Sequence, residues 1–309
     1  MIADMREALE AVLGPITEPV LLPGGASKEA WAVDAGGEQL LVRRAGGGVI
    51  HRHTLSLRHE FEVLQVAYEQ EVKVPRPIAY IEDLDGREAF VMERLEGETI
   101  GRRIVRAPVP ERLPEQMAEE LAKIHALPPE RLPFLEEATI GRLVKELDAV
   151  GEPHPAIELG LWWLREHRQP PREPVVVHGD FRIGNLVIDE TGLAGVLDWE
   201  FAHFDDPARD LSFALVRAWR FGVGERRLGG IGDAEPYLER YNELTGFEVR
   251  PEELDYWELA GNVGWAIGCL TQAQRHLSGQ DRSVELAILG RLGVEVEYEI
   301  VNLLERFAA

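Results

Sequence analysis

Apolar and polar residues alternate over short stretches in the first third of the chain, after an opening segment with helical spacing. Residues 2–13 (IADMREALEAVL) repeat apolar side chains every three or four positions, which predicts a short amphipathic helix. Beyond this helix, β-rich runs separated by glycine and proline predict five strands. They are Val20–Leu22, Ala30–Val33, Leu40–Arg44, Pro77–Glu82 and Ala89–Leu95.

One helical segment interrupts this β-rich region. Between about His53 and Gln70, the apolar residues Leu57, Phe61 and Leu64 fall on one stripe of a helix. The pattern therefore predicts a five-stranded antiparallel sheet with one helix inserted after its third strand.

Helical spacing dominates beyond about Gly97. The predicted helices are Pro114–Ala126, Thr139–Val150, Ala156–His167, Pro207–Arg220, Ala234–Thr245, Pro251–Leu277 (with glycines that could break it) and Val284–Phe307. Short β-rich runs lie between them, at Val175–His178, Leu186–Asp189 and Gly195–Leu197. We expect an α+β fold with an N-terminal β-rich lobe at residues 1–95 and a larger, mainly helical C-terminal lobe at residues 96–309.

Composition limits the classes of partner. Because 45% of the 309 residues are apolar, the chain can form a sizeable core. A formal net charge of -22 opposes binding to nucleic acid and to anionic membranes, both of which attract basic surfaces. Cys269 is the only cysteine, which excludes an intramolecular disulfide and fits a reducing compartment. With no signal-peptide pattern and no apolar run of about 18 residues, we expect a cytoplasmic protein. Oligomeric state has no signature in the sequence.

Three polar residues follow β-rich runs in the second half of the chain. In VVVHGDFRIGNLVI, four residues separate Asp180 from Asn185, which is the spacing of the protein-kinase catalytic loop. Asp198 comes 13 residues after Asn185, in GVLDWE. Phosphoryl transfer needs a carboxylate that orients the attacking hydroxyl and accepts its proton, and it needs oxygen ligands for Mg²⁺. The pattern therefore indicates Mg²⁺-dependent phosphoryl transfer.

These segments resemble a known family. HGDFRIGN is similar to the HGDxxxxN signature of the aminoglycoside phosphotransferase and choline kinase superfamily, and LDWE resembles its counterpart of the kinase DFG motif. DDPARDL (Asp205–Leu211) resembles the GDPxxDL segment of the family, and LAKIHAL (Leu121–Leu127) matches as well. A nearer likeness is to bacterial small-molecule phosphotransferases similar to the kinase-like region of certain acyl-CoA dehydrogenases. The resemblance implies a protein-kinase-like, two-lobed fold.

The resemblance also implies roles for the residues of the motif. Asp180 would be the catalytic carboxylate, and Asn185 and Asp198 would hold Mg²⁺. Arg182 lies inside the same loop and would contact phosphate or acceptor, unless it only forms a surface pair with a carboxylate.

In the N-terminal lobe the resemblance implies a nucleotide site for ATP or GTP. The hairpin residues Gly24, Gly25, Ala26 and Ser27 would fold over the phosphates. Arg43 stands where the family commonly has a lysine, a departure that keeps the charge but changes its geometry on phosphate. Glu60 would pair with Arg43, and the hinge residues Met92, Glu93 and Leu95 would meet the adenine.

The expected activity is transfer of the γ-phosphate of ATP or GTP to a hydroxyl of a small molecule. Two alternatives stay open. One is a pseudokinase or nucleotide-binding module without transfer, which the lysine-to-arginine departure keeps possible. The other is a metallohydrolase that uses His178, Asp180, Asp198 and His203 as ligands.

The acceptor itself is open. The acidic balance suits an aminoglycoside or a choline-like cation, whereas hydroxyacyl thioesters, sugars and amino alcohols are equally compatible with the motifs. Asp205, Glu200, Asn262 and Trp265 are candidate acceptor contacts, with core packing as the other interpretation of Trp265.

Three further polar residues near the motif have structural interpretations. We expect Asp206 to cap the helix that begins at Pro207, and Asp210 to brace the backbone of the catalytic loop. We expect His178 to support that loop by hydrogen bonds.

Overall fold

The N-terminal lobe has a five-stranded antiparallel sheet, with strands in the order β1 (Val20–Leu21), β2 (Lys28–Ala35), β3 (Glu38–Ala45), β5 (Ala89–Glu93) and β4 (Pro77–Ile81). A computed structural model describes residues 2–22, 28–46 and 54–308 of the chain. The elements of this lobe are α1 (Ile2–Leu13), β1 (Val20–Leu21), β2 (Lys28–Ala35), β3 (Glu38–Ala45), α2 (Leu57–Glu69), β4 (Pro77–Ile81) and β5 (Ala89–Glu93). The predicted sheet and its inserted helix are confirmed.

The two faces of this sheet pack on different helices, as the two-residue period of a strand requires. On one face, Val42 and Val91 pack with Met5 and Leu9 of α1. On the other face, Phe90 packs with the residues of α2. Arg43 alternates with Val42 and therefore belongs to the α2 side, which faces the second lobe.

Helices make up most of the C-terminal lobe. They are α3 (Gly101–Ile104), α4 (Leu113–His125), α5 (Ile140–Val150), α6 (Pro155–Glu166), α7 (Pro207–Phe213), α8 (Ala234–Thr245), α9 (Pro251–Leu277) and α10 (Val284–Ala308). Two small antiparallel ribbons lie among them: β6 (Val175–Val177) pairs with β9 (His203–Asp205), and β7 (Leu186–Asp189) pairs with β8 (Gly192–Val196). Within the described residues, no helix combines the length and apolar character needed to cross a bilayer.

The structure corrects some predicted boundaries. The helix predicted to run to Arg220 ends at Phe213, because Arg220 is buried and donates to the carbonyl of Leu215 instead of continuing the helix. Helix α9 runs through its glycines without a break. The sequence patterns indicated neither β9 nor the short helix α3, since three- and four-residue elements carry almost no periodicity.

The ribbons position the residues of the predicted motif. The loop between β6 and β7 carries Asp180, Arg182 and Asn185, and Asp198 follows the end of β8. Helix α2 of the first lobe lies against the turn after Asp198, where the amide of Leu55 donates to the carbonyl of Glu200 at 2.8 Å. The loop, Asp198 and the α2 side of the sheet thus meet in one cleft.

Candidate active site

The backbone of the loop after β6 is held by one buried carboxylate. Asp210 of α7 accepts hydrogen bonds from the amides of His178 (2.6 Å) and Gly179 (2.9 Å). His125 Nε2 lies 3.3 Å from the same carboxylate. Burial pushes the pKa of Asp210 upward, but the hydrogen bonds from His125 and from the Gly179 amide outweigh it, so that the pKa lies below its usual range. The predicted bracing role of Asp210 is confirmed.

Gly179 is required at its position for two reasons. Its φ of +79° lies in the left-handed region, and a Cβ there would approach the Phe201 carbonyl oxygen to 2.3 Å. Helix α7 is capped at its N-terminus as predicted, because the Asp206 side chain accepts from the amide of Ala208 at 2.8 Å.

His178 supports the loop with both of its ring nitrogens. Nε2–H donates to the carbonyl of Leu197 at 2.9 Å, and Nδ1 accepts from the amide of Asp180 at 3.2 Å. Burial lowers the pKa of His178, which keeps the ring neutral as this pattern of bonds requires. The predicted structural role of His178 is confirmed.

Asp180 lies between two polar neighbours of its own loop. Its Oδ1 accepts from Arg182 Nε at 2.9 Å, and its Oδ2 accepts from Asn185 Nδ2 at 2.5 Å. Burial raises the pKa of Asp180, although the charge of Arg182 and the hydrogen bonds from Arg182 and Asn185 act against the rise. The guanidinium of Arg182 also stacks 4.3 Å from the ring centroid of Trp219. Arg182 therefore does pair with a carboxylate. That carboxylate is Asp180 of its own loop and not a residue of the protein surface.

Asp198 has an uncommon backbone conformation for a residue with a side chain. Its φ of +63° is left-handed, a conformation that aspartate tolerates better than most residues. Its carboxylate contacts Arg43, and this charge lowers the pKa of Asp198 against the opposing effect of burial. The amide of Leu197 donates to the carbonyl of Asn185 at 2.8 Å, which ties Asp198 to the catalytic loop.

Two cations and three carboxylates meet across the cleft. Arg43 contacts Asp198 and also lies 3.6 Å from Glu60, as the resemblance implied for Glu60. Lys28, which the sequence analysis did not single out, contacts Glu60 and lies 2.8 Å from Glu200. Burial raises the pKa of Glu200, and Lys28 opposes this rise. The sequence did contain a signal for Lys28. In β2, Trp31, Val33 and Ala35 face α1, so the even-numbered residues, Lys28 among them, face the cleft.

The predicted nucleotide residues are only partly described. Gly24, Gly25, Ala26 and Ser27 lie outside the described residues. Met92 lines a small pocket with Arg43, Glu60 and Asp198. The amide of Glu93 donates to the carbonyl of Arg76 at 2.9 Å, so that Glu93 has no amide to offer to an adenine. The Leu95 side chain lies over Gly195, where a Cβ would approach its Cδ1 to 2.3 Å.

A cavity of about 360 Å³ opens directly beside Asp180. Its walls are largely apolar and come from α5, α7, the turn at Arg217–Arg220, α9, α10 and the segment after Asp198: Leu143, Phe201, Phe213, Trp219, Trp265 and Leu286. Gly264 of α9 faces it as well, and its missing side chain leaves space. Gly261 also belongs to the lining, but a Cβ there would approach Val216 Cγ2 to 2.9 Å, so this glycine permits close packing. We refer to this cavity as the acceptor-side pocket.

Two of the four candidate acceptor contacts line this pocket, and two do not. Glu200 and Trp265 belong to its lining. Asn262 is buried within α9, with its side-chain amide donating to the carbonyl of Glu258 at 2.9 Å. Asp205 pairs with Arg209.

The ligand set of a metallohydrolase is not assembled here. Both nitrogens of His178 are bonded within the protein, and His203 Nδ1 donates to the carbonyl of Phe201 at 2.7 Å. Across the described ranges, no three His, Cys, Asp or Glu side chains come together as a metal site.

Comparison with known proteins decides the family. Residues 19–244 match the model of the phosphotransferase enzyme family, APH. The chain belongs to this family. The match covers the sheet, the catalytic loop and Asp198, which are the parts that carried the resemblance in the sequence.

Curated relatives of this phosphotransferase are longer proteins. Acyl-CoA dehydrogenase family member 11 of Homo sapiens is 28% identical over 268 residues, which cover 77% of this chain and 34% of that protein. The Gallus gallus protein of the same name is 26% identical, over 62% of this chain and 26% of its own length. The chain thus spans about a third or less of the relatives it matches.

Solved structures confirm the fold of the phosphotransferase. A candidate aminoglycoside phosphotransferase of Ralstonia eutropha JMP134 has a TM-score of 0.71 at 22% identity and covers 96% of this chain and 98% of its own. Spectinomycin phosphotransferase, in complex with ADP and spectinomycin, has a TM-score of 0.70 at 13% identity, over 97% and 98% of the two chains. The expected protein-kinase-like, two-lobed α+β fold is confirmed.

The cleft has an oxygen-ligand set that fits Mg²⁺. Both hydrogen bonds of the Asn185 side chain use its NH₂ group, which leaves the amide oxygen for a cation. The Asp198 carboxylate is 39% exposed at the cleft. One carboxylate and one amide oxygen, completed by phosphate and water, are the ligands that Mg²⁺ takes in such sites.

Proposed function

We propose that the chain is a Mg²⁺-dependent small-molecule kinase that transfers the γ-phosphate of ATP or GTP to a hydroxyl of the acceptor. The observation that carries this proposal is the position of Asp180. It is a carboxylate with 15% of its side chain exposed, which lies at the pocket wall and is bonded to Asn185. A hydroxyl in the pocket and phosphates near Asp198 would meet at this carboxylate.

Asp180 orients the acceptor hydroxyl and takes up its proton during transfer. The acceptor oxygen forms a bond to the γ-phosphorus, the bond from that phosphorus to the β–γ bridging oxygen breaks, and the nucleoside diphosphate leaves. Arg182 holds Asp180 through Nε and is braced on Trp219. Asn185 and Asp198 would hold Mg²⁺, which would neutralise charge on the phosphates.

The nucleotide lies between the lobes, whose boundary we place between Leu95 and Glu96. Met92, the carbonyl of Glu93 and the amide of Leu95 face the adenine. Arg43 with Glu60 forms a charged wall beside the phosphates.

The acceptor has an apolar body rather than a set of ammonium groups. Each carboxylate of the pocket lining has a basic partner already: Glu146 with Arg142, Asp180 with Arg182, Asp198 with Arg43 and Glu200 with Lys28. A polycationic aminoglycoside would have to compete for these carboxylates. A hydroxyacyl chain combines a hydroxyl with apolar length, and the acyl-CoA dehydrogenase name of the relatives makes hydroxyacyl thioesters the first class to test.

The test is Mg²⁺-dependent release of ADP from ATP, and of GDP from GTP, across a panel of acceptors. Hydroxyacyl thioesters and other apolar alcohols are compared with aminoglycosides and choline. We expect acceptor-stimulated release with the apolar alcohols that disappears in Asp180→Asn, because the amide cannot take the proton. Near-normal turnover of Asp180→Asn would contradict the proposal.

The same assay separates the alternatives. Nucleotide binding without release for any acceptor indicates a pseudokinase, and stoichiometric tightly bound zinc without nucleotide binding indicates a metallohydrolase. Stimulation by aminoglycosides alone would contradict the apolar acceptor but not the kinase.

A further inference from the structure

Lys28 is a buried lysine at the junction of the two lobes, and the roles proposed above leave it unused. Its side chain is 10% exposed, and its Nζ contacts the Glu60 carboxylate and lies 2.8 Å from Glu200 Oε2. Glu60 belongs to α2, whereas Glu200 comes two residues after Asp198. The ammonium group therefore lies where the sheet, α2 and the segment of Asp198 meet.

The register of the sheet places Lys28 on the same face as Arg43. Ala30 is directly opposite Arg43 across β2 and β3, and side chains two residues apart on a strand share a face. Lys28 and Arg43 are thus diagonal neighbours, about 7–8 Å apart at their backbones, which is within reach of two long side chains. The opposite face of β2 carries Trp31 and Val33, which pack toward α1.

Glu60 joins the two cations through its two oxygens. Oε2 contacts Lys28, and Oε1 lies 3.6 Å from Arg43 Nη2. The other guanidinium nitrogen of Arg43 contacts Asp198. Protein kinases position the nucleotide phosphates with a strand lysine that is ion-paired to a helix glutamate. Here the lysine in contact with the helix glutamate comes from β2, because β3 provides an arginine.

The chain has three other lysines, and their positions do not suit this task. Lys73 and Lys123 donate to the backbone carbonyls of Leu193 and Glu71, and Lys145 is exposed on α5. In the part of the cleft that the structure describes, the ammonium group is therefore that of Lys28.

We propose that Lys28 binds the phosphates of the nucleotide while Glu60 holds it in position, and that Arg43 instead holds Asp198. An ammonium group has three donors on a flexible stem, so it can exchange Glu200 for a phosphate oxygen and still keep Glu60. The planar guanidinium of Arg43 is already engaged with two carboxylates on either side of it. The inference rests on the proposed kinase function, because it assumes a nucleotide in this cleft.

The experiment compares the affinities of ATP and adenosine by calorimetry in wild type, Lys28→Met and Lys28→Arg. Lys145→Met is the matched control, because it makes the same substitution at an exposed lysine of α5. Adenosine lacks phosphates, so the ratio of the two affinities reports the phosphate contact separately from the integrity of the site. Apparent KM for ATP and kcat are measured on the same variants.

We expect Lys28→Met to lower the affinity for ATP by about 10- to 100-fold, as the loss of a charge-assisted hydrogen bond does, and to leave the affinity for adenosine unchanged. Lys28→Arg retains most of the preference for ATP, and Lys145→Met retains all of it. A Lys28→Met variant that keeps the wild-type ratio, or that loses ATP and adenosine equally, would overturn the inference. Wild-type protein that binds no nucleotide would instead overturn the proposed function.

Removing Lys28 leaves Glu200 without its cation and leaves Glu60 with Arg43 alone, a loss that can prevent folding. In that case Lys28→Met is combined with Glu200→Gln, and Glu200→Gln alone is the reference. We expect the ratio of ATP affinity to adenosine affinity to fall by the same factor in the double variant, relative to Glu200→Gln alone. An equal ratio in these two variants would contradict the inference.

Discussion

At the residue scale, Asp180 combines burial with hydrogen bonds from two side chains of one loop. Burial raises its pKa because a charged carboxylate loses solvation, while Arg182 and Asn185 limit the rise. The deprotonated form is the one that accepts a proton. Under the proposed function, activity depends on a balance between the desolvation of Asp180 and the charge of Arg182.

This balance predicts the pH dependence of turnover. As pH falls through the raised pKa of Asp180, the carboxylate becomes protonated and kcat falls, so the acid limb lies above the range of an ordinary aspartate. Arg182→Ala removes a charge that lowers the pKa, and the limb should move to still higher pH. A pH profile of kcat at saturating substrates measures both, and a limb that does not move in Arg182→Ala would contradict this role of Arg182.

At the scale of elements, helix α7 fixes the catalytic loop through a single side chain. Asp210 accepts two loop amides and contacts His125, so it joins α7, α4 and the loop after β6. The loop conformation is thus set by a residue that comes 30 positions later than Asp180 in the chain.

Replacing this brace should destabilise the fold. Asp210→Asn removes the negative charge and places an NH₂ group, which is a donor, against one of the two donating backbone amides. We expect a loss of about 2–3 kcal/mol in the free energy of unfolding. Asp206→Asn is the control, because asparagine caps a helix as well as aspartate does. Denaturant unfolding of the two variants measures the difference, and equal stabilities would argue against the brace.

Helix α9 shapes the acceptor-side pocket through its glycines. A Cβ on Gly264 would lie 3.6 Å from Leu143 Cδ2, an ordinary contact distance. Gly264→Ala should therefore fold normally, with the gain of about 0.5–1 kcal/mol that alanine has over glycine in a helix. Gly264→Phe projects a ring into the pocket and should abolish acceptor-stimulated ADP release while ATP still binds. An unimpaired acceptor response in Gly264→Phe would place the acceptor elsewhere.

At the scale of the whole molecule, the net charge of -22 does not predict which charge the pocket accepts in a ligand. The acidic balance suggested a cationic acceptor, yet the carboxylates that line the pocket are already paired with basic side chains. Net charge sums over the entire surface, whereas recognition depends on the few groups that a ligand meets.

Ion pairs between side chains of the two lobes lie in the cleft where we propose that the nucleotide binds. Because MgATP would bind only the folded chain, it should raise the stability by about 2.7 kcal/mol at 100 times its dissociation constant. Thermal unfolding with and without MgATP measures this, with Asp180→Asn as a variant that should keep the shift. A midpoint that does not respond to MgATP in either protein would contradict nucleotide binding in the cleft.

Much of the fold could be predicted from the sequence because its signals are local. The alternation in residues 20–95 identified the five strands, and helical spacing identified the long helices of the second lobe. The short elements β9 and α3 lacked such a signal, since their few residues are held by contacts with distant parts of the chain. The helix predicted to reach Arg220 failed for the same reason, because the pairing of Arg220 with Glu258 is not visible in either segment alone.

By itself, the sequence determined the family-level chemistry: the spacing of Asp180, Asn185 and Asp198 is a property of one short stretch of chain. Only the tertiary structure decided how Lys28 and Arg43 share Glu60, which wall Trp219 and Trp265 form, and which pocket carboxylates are paired. These depend on strand register and on the approach of segments far apart in the chain. Local periodicity specifies which face a residue occupies, but not what lies opposite that face.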